Sequence, residues 1–301
     1  MSEDPTIQWA LANPLAIQID EPSKIWHSGA ARDVLPLSPD EVLVATDTSG
    51  LWLATHNGLA TPAADLDKPD LWCLAKGMYA DDHIYAGGQG LFETDLGVQG
   101  VPILNWREIP LTYSSSALGV VTLGGGGGPT TIRTVYRIAV LREDRRIVIA
   151  TRSGVFWSDI PEPPKNTLGC LWTLLGLPTP TQPWTAVYGS YSWNKAVSLP
   201  DVKMGYLGLA AGPPRRGERE RSIAVASWGE PGRAAEFYWG EWEGGQLVMH
   251  PAKVQQDLGR VWARATTMAS CEHHPERMYA ISSNDEGFPY ALWRSFDAGR
   301  S

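Results

Sequence analysis

The chain has 301 residues, room for one large domain or two medium ones, and its 31 Gly, 23 Pro, 14 Trp and 10 Tyr favour half-buried pleated strands divided by turns. A formal net charge of -8 repels phosphate backbones and anionic lipid, which disfavours nucleic-acid and membrane partners, and no run approaches the ~18 apolar residues of a membrane span. Three widely spaced cysteines, Cys73, Cys170 and Cys271, imply no disulfide framework, and an amino terminus without basic and apolar signal regions points to a cytoplasmic protein, or a secreted one if a leader has been removed.

In chain order, the first candidate element is IQWALANPL (7–15), an apolar run with one Trp. It is followed by RDVLPLSPDE (32–41) and VLVATDTSGLWLAT (42–55), which read as a strand, a polar turn, and two further strands joined by a Gly-containing turn. The same order returns as LWCLAKGMYADD (71–82) with HIYAGGQGLFETD (83–95), and as YRIAVLREDR (136–145) with RIVIATRSGVFWSD (146–159). A fourth copy contains SIAVASWGEPGRAAEFYWGEW (222–242), and a fifth joins TTMASCEHHPE (266–276) to RMYAISSNDEGFPYALWRSFD (277–297). Trp-containing runs LNWREIPL (104–111) and CLWTLLGLP (170–178) follow the second and third copies as candidate fourth strands.

A sheet with two apolar faces and no partner inside its own repeat must stack on its neighbours. The expectation is therefore an all-β, single-domain β-propeller over residues 1–301. It has five four-stranded blades, labelled A to D from the inside outward. The fifth copy ends without a strand D, so residues 7–15 are expected to complete the last blade beside Leu292, which would remove an open sheet edge.

Ser295-Phe296-Asp297-Ala298-Gly299-Arg300-Ser301 resembles the Asp-box (BNR) motif, and Thr94-Asp95-Leu96-Gly97 and Ser158-Asp159 resemble degenerate copies at the same blade position. The families that carry this motif include sialidases, xyloglucan-cleaving glycosidases and sortilin-type receptors. The resemblance implies a propeller fold in which the motif is structural, its Asp accepting turn hydrogen bonds. It also implies that ligands bind on the opposite face, among the B–C turns and D–A connections. The Arg-Ile-Pro tripeptide of sialidases is absent, since Arg107-Glu108-Ile109-Pro110 has an extra residue and lies in a strand D.

On that face the ligand-binding candidates are Arg152, Trp228 and Arg233 from B–C turns, with Trp184, Tyr188, Tyr191 and Trp193 from the long connection 179–202. Aromatic rings among small polar residues suit a sugar, whose C–H face stacks while its hydroxyls hydrogen-bond. The same rings equally suit an extra hairpin that packs over the blades. Asp47, Glu230 and Asp285 are candidate catalytic carboxylates, because glycoside hydrolysis needs two, and each is also an ordinary turn residue.

No cofactor is expected: Gly124–Gly128 lacks the Lys-Ser/Thr of a phosphate loop. No metal site is expected either, because the adjacent residues of Cys271-Glu272-His273-His274 cannot converge on one ion. The expected function is recognition of a glycan or similar polar ligand. A glycoside hydrolase or lyase, and a scaffold for a protein partner, are the alternatives.

Overall fold

A computed structural model describes residues 18–20, 25–26, 30–55, 60–64, 66, 70–78, 83–94, 106–113, 130–162, 189–214, 221–229, 236–254, 264–271, 273–283 and 289–301. These residues are all-β and form five principal antiparallel sheets, the arrangement of a five-bladed β-propeller. No helix among them is long and apolar enough to cross a membrane.

Two short strands, β1 (Gln18–Asp20) and β2 (Ile25–Trp26), pair with each other ahead of the blades. Blade 1 is β3 (Ala31–Ser38), β4 (Glu41–Thr46), β5 (Leu51–Thr55) and β6 (Ala60–Ala64) in meander order. Blade 2 is β7 (Leu71–Lys76), β8 (Ile84–Gly88), β9 (Leu91–Thr94) and β10 (Trp106–Glu108), and β10 falls within the run expected to be its strand D. A two-stranded pair, β11 (Thr112–Tyr113) with β12 (Thr130–Thr131), precedes blade 3.

Blade 3 is β13 (Val135–Leu141), β14 (Arg146–Thr151), β15 (Gly154–Asp159) and β16 (Asn194–Lys195). Its expected outer strand, 170–178, lies outside the described residues; the strand found beside β15 is β16, registered Trp157 to Asn194 and Phe156 to Lys195. Blade 4 is β17 (Tyr206–Pro214), β18 (Arg221–Ser227), β19 (Phe237–Glu243) and β20 (Gln246–Pro251), and blade 5 is β21 (Arg264–Cys271), β22 (His274–Ser283) and β23 (Pro289–Ser295). Among the described residues blade 5 has three strands, and the segment expected to add a fourth, 7–15, lies outside them.

The core consists of layers between blades. Leu43, Ala45 and Leu51 of blade 1 meet Leu71, Ile84 and Phe92 of blade 2. Tyr85 and Leu91 of blade 2 meet Ile147, Ile149 and Phe156 of blade 3. Val148, Val155 and Trp157 of blade 3 meet Leu209, Val225 and Tyr238 of blade 4. Alternation along one strand supplies both layers: Ile147 and Ile149 of β14 point to blade 2, and Val148 and Ala150 point to blade 4. Burial on both faces explains why the B strands read as continuous apolar runs.

The B–C turns repeat one device. In blade 1 the Thr46 hydroxyl donates to Gly50 O (2.9 Å) and accepts the Ser49 N–H (3.0 Å); in blade 3 the Thr151 hydroxyl donates to Gly154 O (2.8 Å) and accepts the Ser153 N–H (3.0 Å). Gly50 (φ 74°) and Gly154 (φ 132°) close these turns in a region that disfavours side chains. The turns thus hold Asp47 and Arg152 at fixed places at one end of the ring.

Candidate functional site

The inner strands carry their first residues to the B–C-turn end of the ring, and three rings from three successive blades meet there. Trp72 of β7 lies 5.0 Å from Tyr136 of β13 and 6.0 Å from Trp228, which follows β18; Tyr136 and Trp228 are 5.4 Å apart. All three contacts are edge-to-face, the arrangement that ring quadrupoles favour. From a fourth blade, the Arg32 guanidinium lies over Trp72, 4.6 Å from the ring centre. Arg137 fastens two of the strands beneath the rings, its Nη1 donating to Trp72 O (3.1 Å) and Tyr136 O (2.9 Å).

Charge surrounds this aromatic floor. Asp47 accepts from Arg32 Nη2 at 3.0 Å and from the Ala30 N–H at 2.8 Å. Gln89 Nε2 donates to Asp70 at 3.3 Å. Arg152 is exposed on its turn. Burial raises the Tyr136 hydroxyl above its ordinary pKa; the Arg152 charge opposes that rise and Asp70 adds to it, so all three groups share one electrostatic environment.

Of the residues expected at this face, Asp47, Arg152 and Trp228 are at the B–C-turn end. Trp184, Tyr188, Glu230, Arg233 and Asp285 lie outside the described residues. Tyr191 and Trp193 are elsewhere: they run beside the lower part of β15 toward the A–B-turn end and pack between blades 2 and 3. Trp193 is 5% exposed, donates from Nε1 to Pro110 O at 3.0 Å, and stacks on Tyr191 with ring centres 5.9 Å apart.

The Tyr191 hydroxyl donates to Glu93 Oε2 (2.7 Å) and is 2.9 Å from the Tyr85 hydroxyl. His83 Nδ1 accepts the Met78 N–H (3.1 Å), which leaves the ring proton on Nε2 to donate to Glu93 Oε2 (3.2 Å). Arg107 pairs with the other Glu93 oxygen. Burial first, then Tyr85 and the Glu93 charge, keep the Tyr191 hydroxyl protonated throughout the physiological range. This network clamps the segment that leads into β16 onto blade 2, so here the packing alternative for the 179–202 aromatics fits.

Arg32, Trp72 and Tyr136 were not among the expected site residues. The available signal was their position at the openings of A strands, which the ring brings together although 104 residues separate Arg32 from Tyr136 in the sequence.

Two other clusters bear on chemistry. Glu241, Glu243 and His250 present ligand atoms within 4.8 Å of one another on β19 and β20, a donor set that could hold a divalent cation. His250 also stacks on Trp239 (4.4 Å), while Arg300 Nη2 is 3.8 Å from Glu241, so the same groups form an ion-pair cluster when His250 is protonated. At the end of blade 5, Asp297 accepts the Ser295 hydroxyl (2.8 Å), the Ser301 N–H (2.8 Å) and the Ser301 hydroxyl (2.7 Å). These bonds, with Ala298 (φ 60°) and Gly299 (φ 85°), build a closed turn in which Asp297 is fully engaged.

No protein-family model matches the chain, and no curated protein matches it. Among solved structures, the glycoside hydrolase family 74 xyloglucanase of Xanthomonas campestris superposes with TM-score 0.49 at 11% identity, over 86% of this chain and 35% of that one. The family 74 enzyme of Niastella koreensis gives TM-score 0.47 at 12% identity, over 92% and 33%. The WD40 β-propeller domain of Doa1 gives 0.42 at 10% identity, over 91% and 71%. The chain thus spans about a third of the length of the two hydrolases. These likenesses concern the fold alone.

Proposed function

We propose that this propeller is a binding module that recognises a carbohydrate or similarly polar ligand on its B–C-turn face. The observation that supports this reading is the cluster of Trp72, Tyr136 and Trp228, each from a different blade, in which Trp72 and Trp228 are half-buried and Tyr136 is buried against both, with Arg32 and Arg152 beside it. Flat rings take the apolar face of a sugar, and guanidinium groups donate to its hydroxyls or to an acidic substituent. A hydrolytic reading needs two opposed carboxylates; of the three candidates only Asp47 lies among the described residues, and its two oxygens are taken by the Ala30 N–H and Arg32.

The test is a glycan panel followed by calorimetry on the hits. A Trp228→Ala or Arg152→Ala chain that retains its fold should bind about thirtyfold more weakly, the size of a typical hot-spot truncation of ~2 kcal/mol. Silence across the panel, or binding indifferent to both substitutions, sinks the sugar reading at this face.

A further inference from the structure

The hairpin of β19 and β20 turns on Gly244 (φ 56°) and Gly245 (φ 82°), the pair of positive φ values that a two-residue turn between antiparallel strands requires. That turn fixes the register and sets Trp239 opposite His250. Residues two apart on a strand share a face, so Trp239, Glu241, Glu243 and His250 all project from one side of blade 4. Arg300, from the turn that ends blade 5, lies against that side, its guanidinium 4.4 Å from the Trp239 ring centre.

The stack on Trp239 holds the His250 ring, and its Nε2 lies 3.3 Å from Glu241 Oε1 and 3.5 Å from Glu243 Oε1. Arg300 Nη2 is nearest the other Glu241 oxygen, Oε2, at 3.8 Å, which leaves Oε1 to His250. Although two acceptors are this close, Nε2 is shielded from solvent and makes no hydrogen bond to any described residue. Buried polar atoms normally have a partner. A proton on Nε2 satisfies one carboxylate at a time, whereas a cation among the three ligand atoms satisfies all of them.

The spacing selects the cation. In a tetrahedral zinc site with bonds of ~2.1 Å, neighbouring ligand atoms are ~3.4 Å apart, which matches both separations from Nε2. An octahedral magnesium site needs ~2.9 Å, and magnesium and calcium take oxygen rather than imidazole. Charge agrees, since two carboxylates with one arginine beside them leave a net negative charge next to a neutral ring.

We infer that Glu241 Oε1, Glu243 Oε1 and His250 Nε2 form a binding site for zinc or a similar divalent transition metal, with the fourth position open to water. The ion ties together the two strands of the outer hairpin of blade 4. Because β19 runs away from its B–C turn, the site lies toward the opposite end of the ring from the aromatic cluster and is independent of the glycan reading.

The test uses the full chain stripped of metal by a chelator, titrated with zinc chloride in a calorimeter and with cobalt chloride under visible absorption. One zinc should bind per chain, and His250→Ala and Glu243→Gln should each weaken it at least ~10-fold, since loss of even an outer-shell partner has that effect. His274→Ala, which removes an exposed imidazole beside Glu276 on blade 5, should leave binding unchanged. Zinc at ~100 times its Kd should raise the melting temperature of the parent by at least ~3 °C and that of His250→Ala by less than ~1 °C. Cobalt should give tetrahedral nitrogen and oxygen bands without thiolate charge transfer.

Absence of stoichiometric uptake, equal uptake by both variants, or a thiolate band would overturn the inference, the last by placing the metal on a cysteine. If His250→Ala does not fold once the Trp239 stack is lost, Glu243→Gln decides, because it changes an exposed side chain without changing its size.

Discussion

Blade 3 and blade 5 have similar sequences and different surroundings. In blade 3 the central strand β14 sends alternate residues into two different layers, and β15 is buried from Gly154 to Ser158. In blade 5 the alternation persists but the two sides differ in exposure: Met278, Ala280 and Ser282 are buried, while Tyr279 and Ile281 between them stay partly exposed. An apolar run therefore reports what a sheet could bury. What it does bury depends on the neighbours that the ring supplies.

The largest contrast is expected in the cores. Phe156→Ala removes a fully buried ring from the layer between blades 2 and 3 and should cost about 3–5 kcal/mol, read from urea unfolding midpoints at constant slope. Tyr279→Ala in blade 5 leaves much less of a cavity and should cost about a third of that or less. Equal losses would show that blade 5 is packed on both sides as tightly as blade 3.

A smaller effect should follow acidity. Burial alone would raise the pKa of Asp297, but hydrogen bonds from Ser301 and Ser295 outweigh it and hold the carboxyl below its ordinary value. The folded form therefore binds its proton less readily than the unfolded chain. The resulting stability is complete above the unfolded carboxyl's pKa and disappears as pH falls through the folded one, so the window lies below about pH 4. Asp297→Asn should lower stability at pH 7 and flatten the acid limb relative to the parent chain. Parallel limbs would mean that the turn does not depend on the charge.

Much of this architecture was legible in the sequence because the repeat combines three signals: apolar B strands, a Gly-bearing B–C turn and a polar A–B turn. VLVATDTSGLWLAT and RIVIATRSGVFWSD even share the Thr that bridges its turn. The site was legible only in part. Asp47, Arg152 and Trp228 sit in recognisable turns, whereas Trp72 and Tyr136 belong to inner strands whose role depends on three blades converging. Tyr191 and Trp193 are the opposite case. Composition marks them as a sugar platform, but their hydroxyl and indole N–H find acceptors in the Glu93 carboxylate and the Pro110 carbonyl, residues 98 and 83 positions away. Long-range polar partners leave no local trace.

The finest probe of the contrast uses two native thiols on corresponding strands. Cys73 on the inner strand of blade 2 is buried, and burial pushes its pKa up to about 12, so thiolate is nearly absent at pH 8. Cys271 closes the inner strand of blade 5 and is partly accessible. In a Cys170→Ser background, iodoacetamide at pH 8 should modify Cys271 within about tenfold of the rate of a free peptide thiol. Cys73 should react at least ~1,000-fold more slowly, because modification must wait for blade 2 to open. Mild denaturant should accelerate Cys73 steeply and Cys271 little, since opening exposes much new surface at the first site and little at the second. Comparable rates at both thiols would place the opening of blade 2 as low in free energy as that of blade 5, and the difference between the two regions would then lie in side-chain exposure alone.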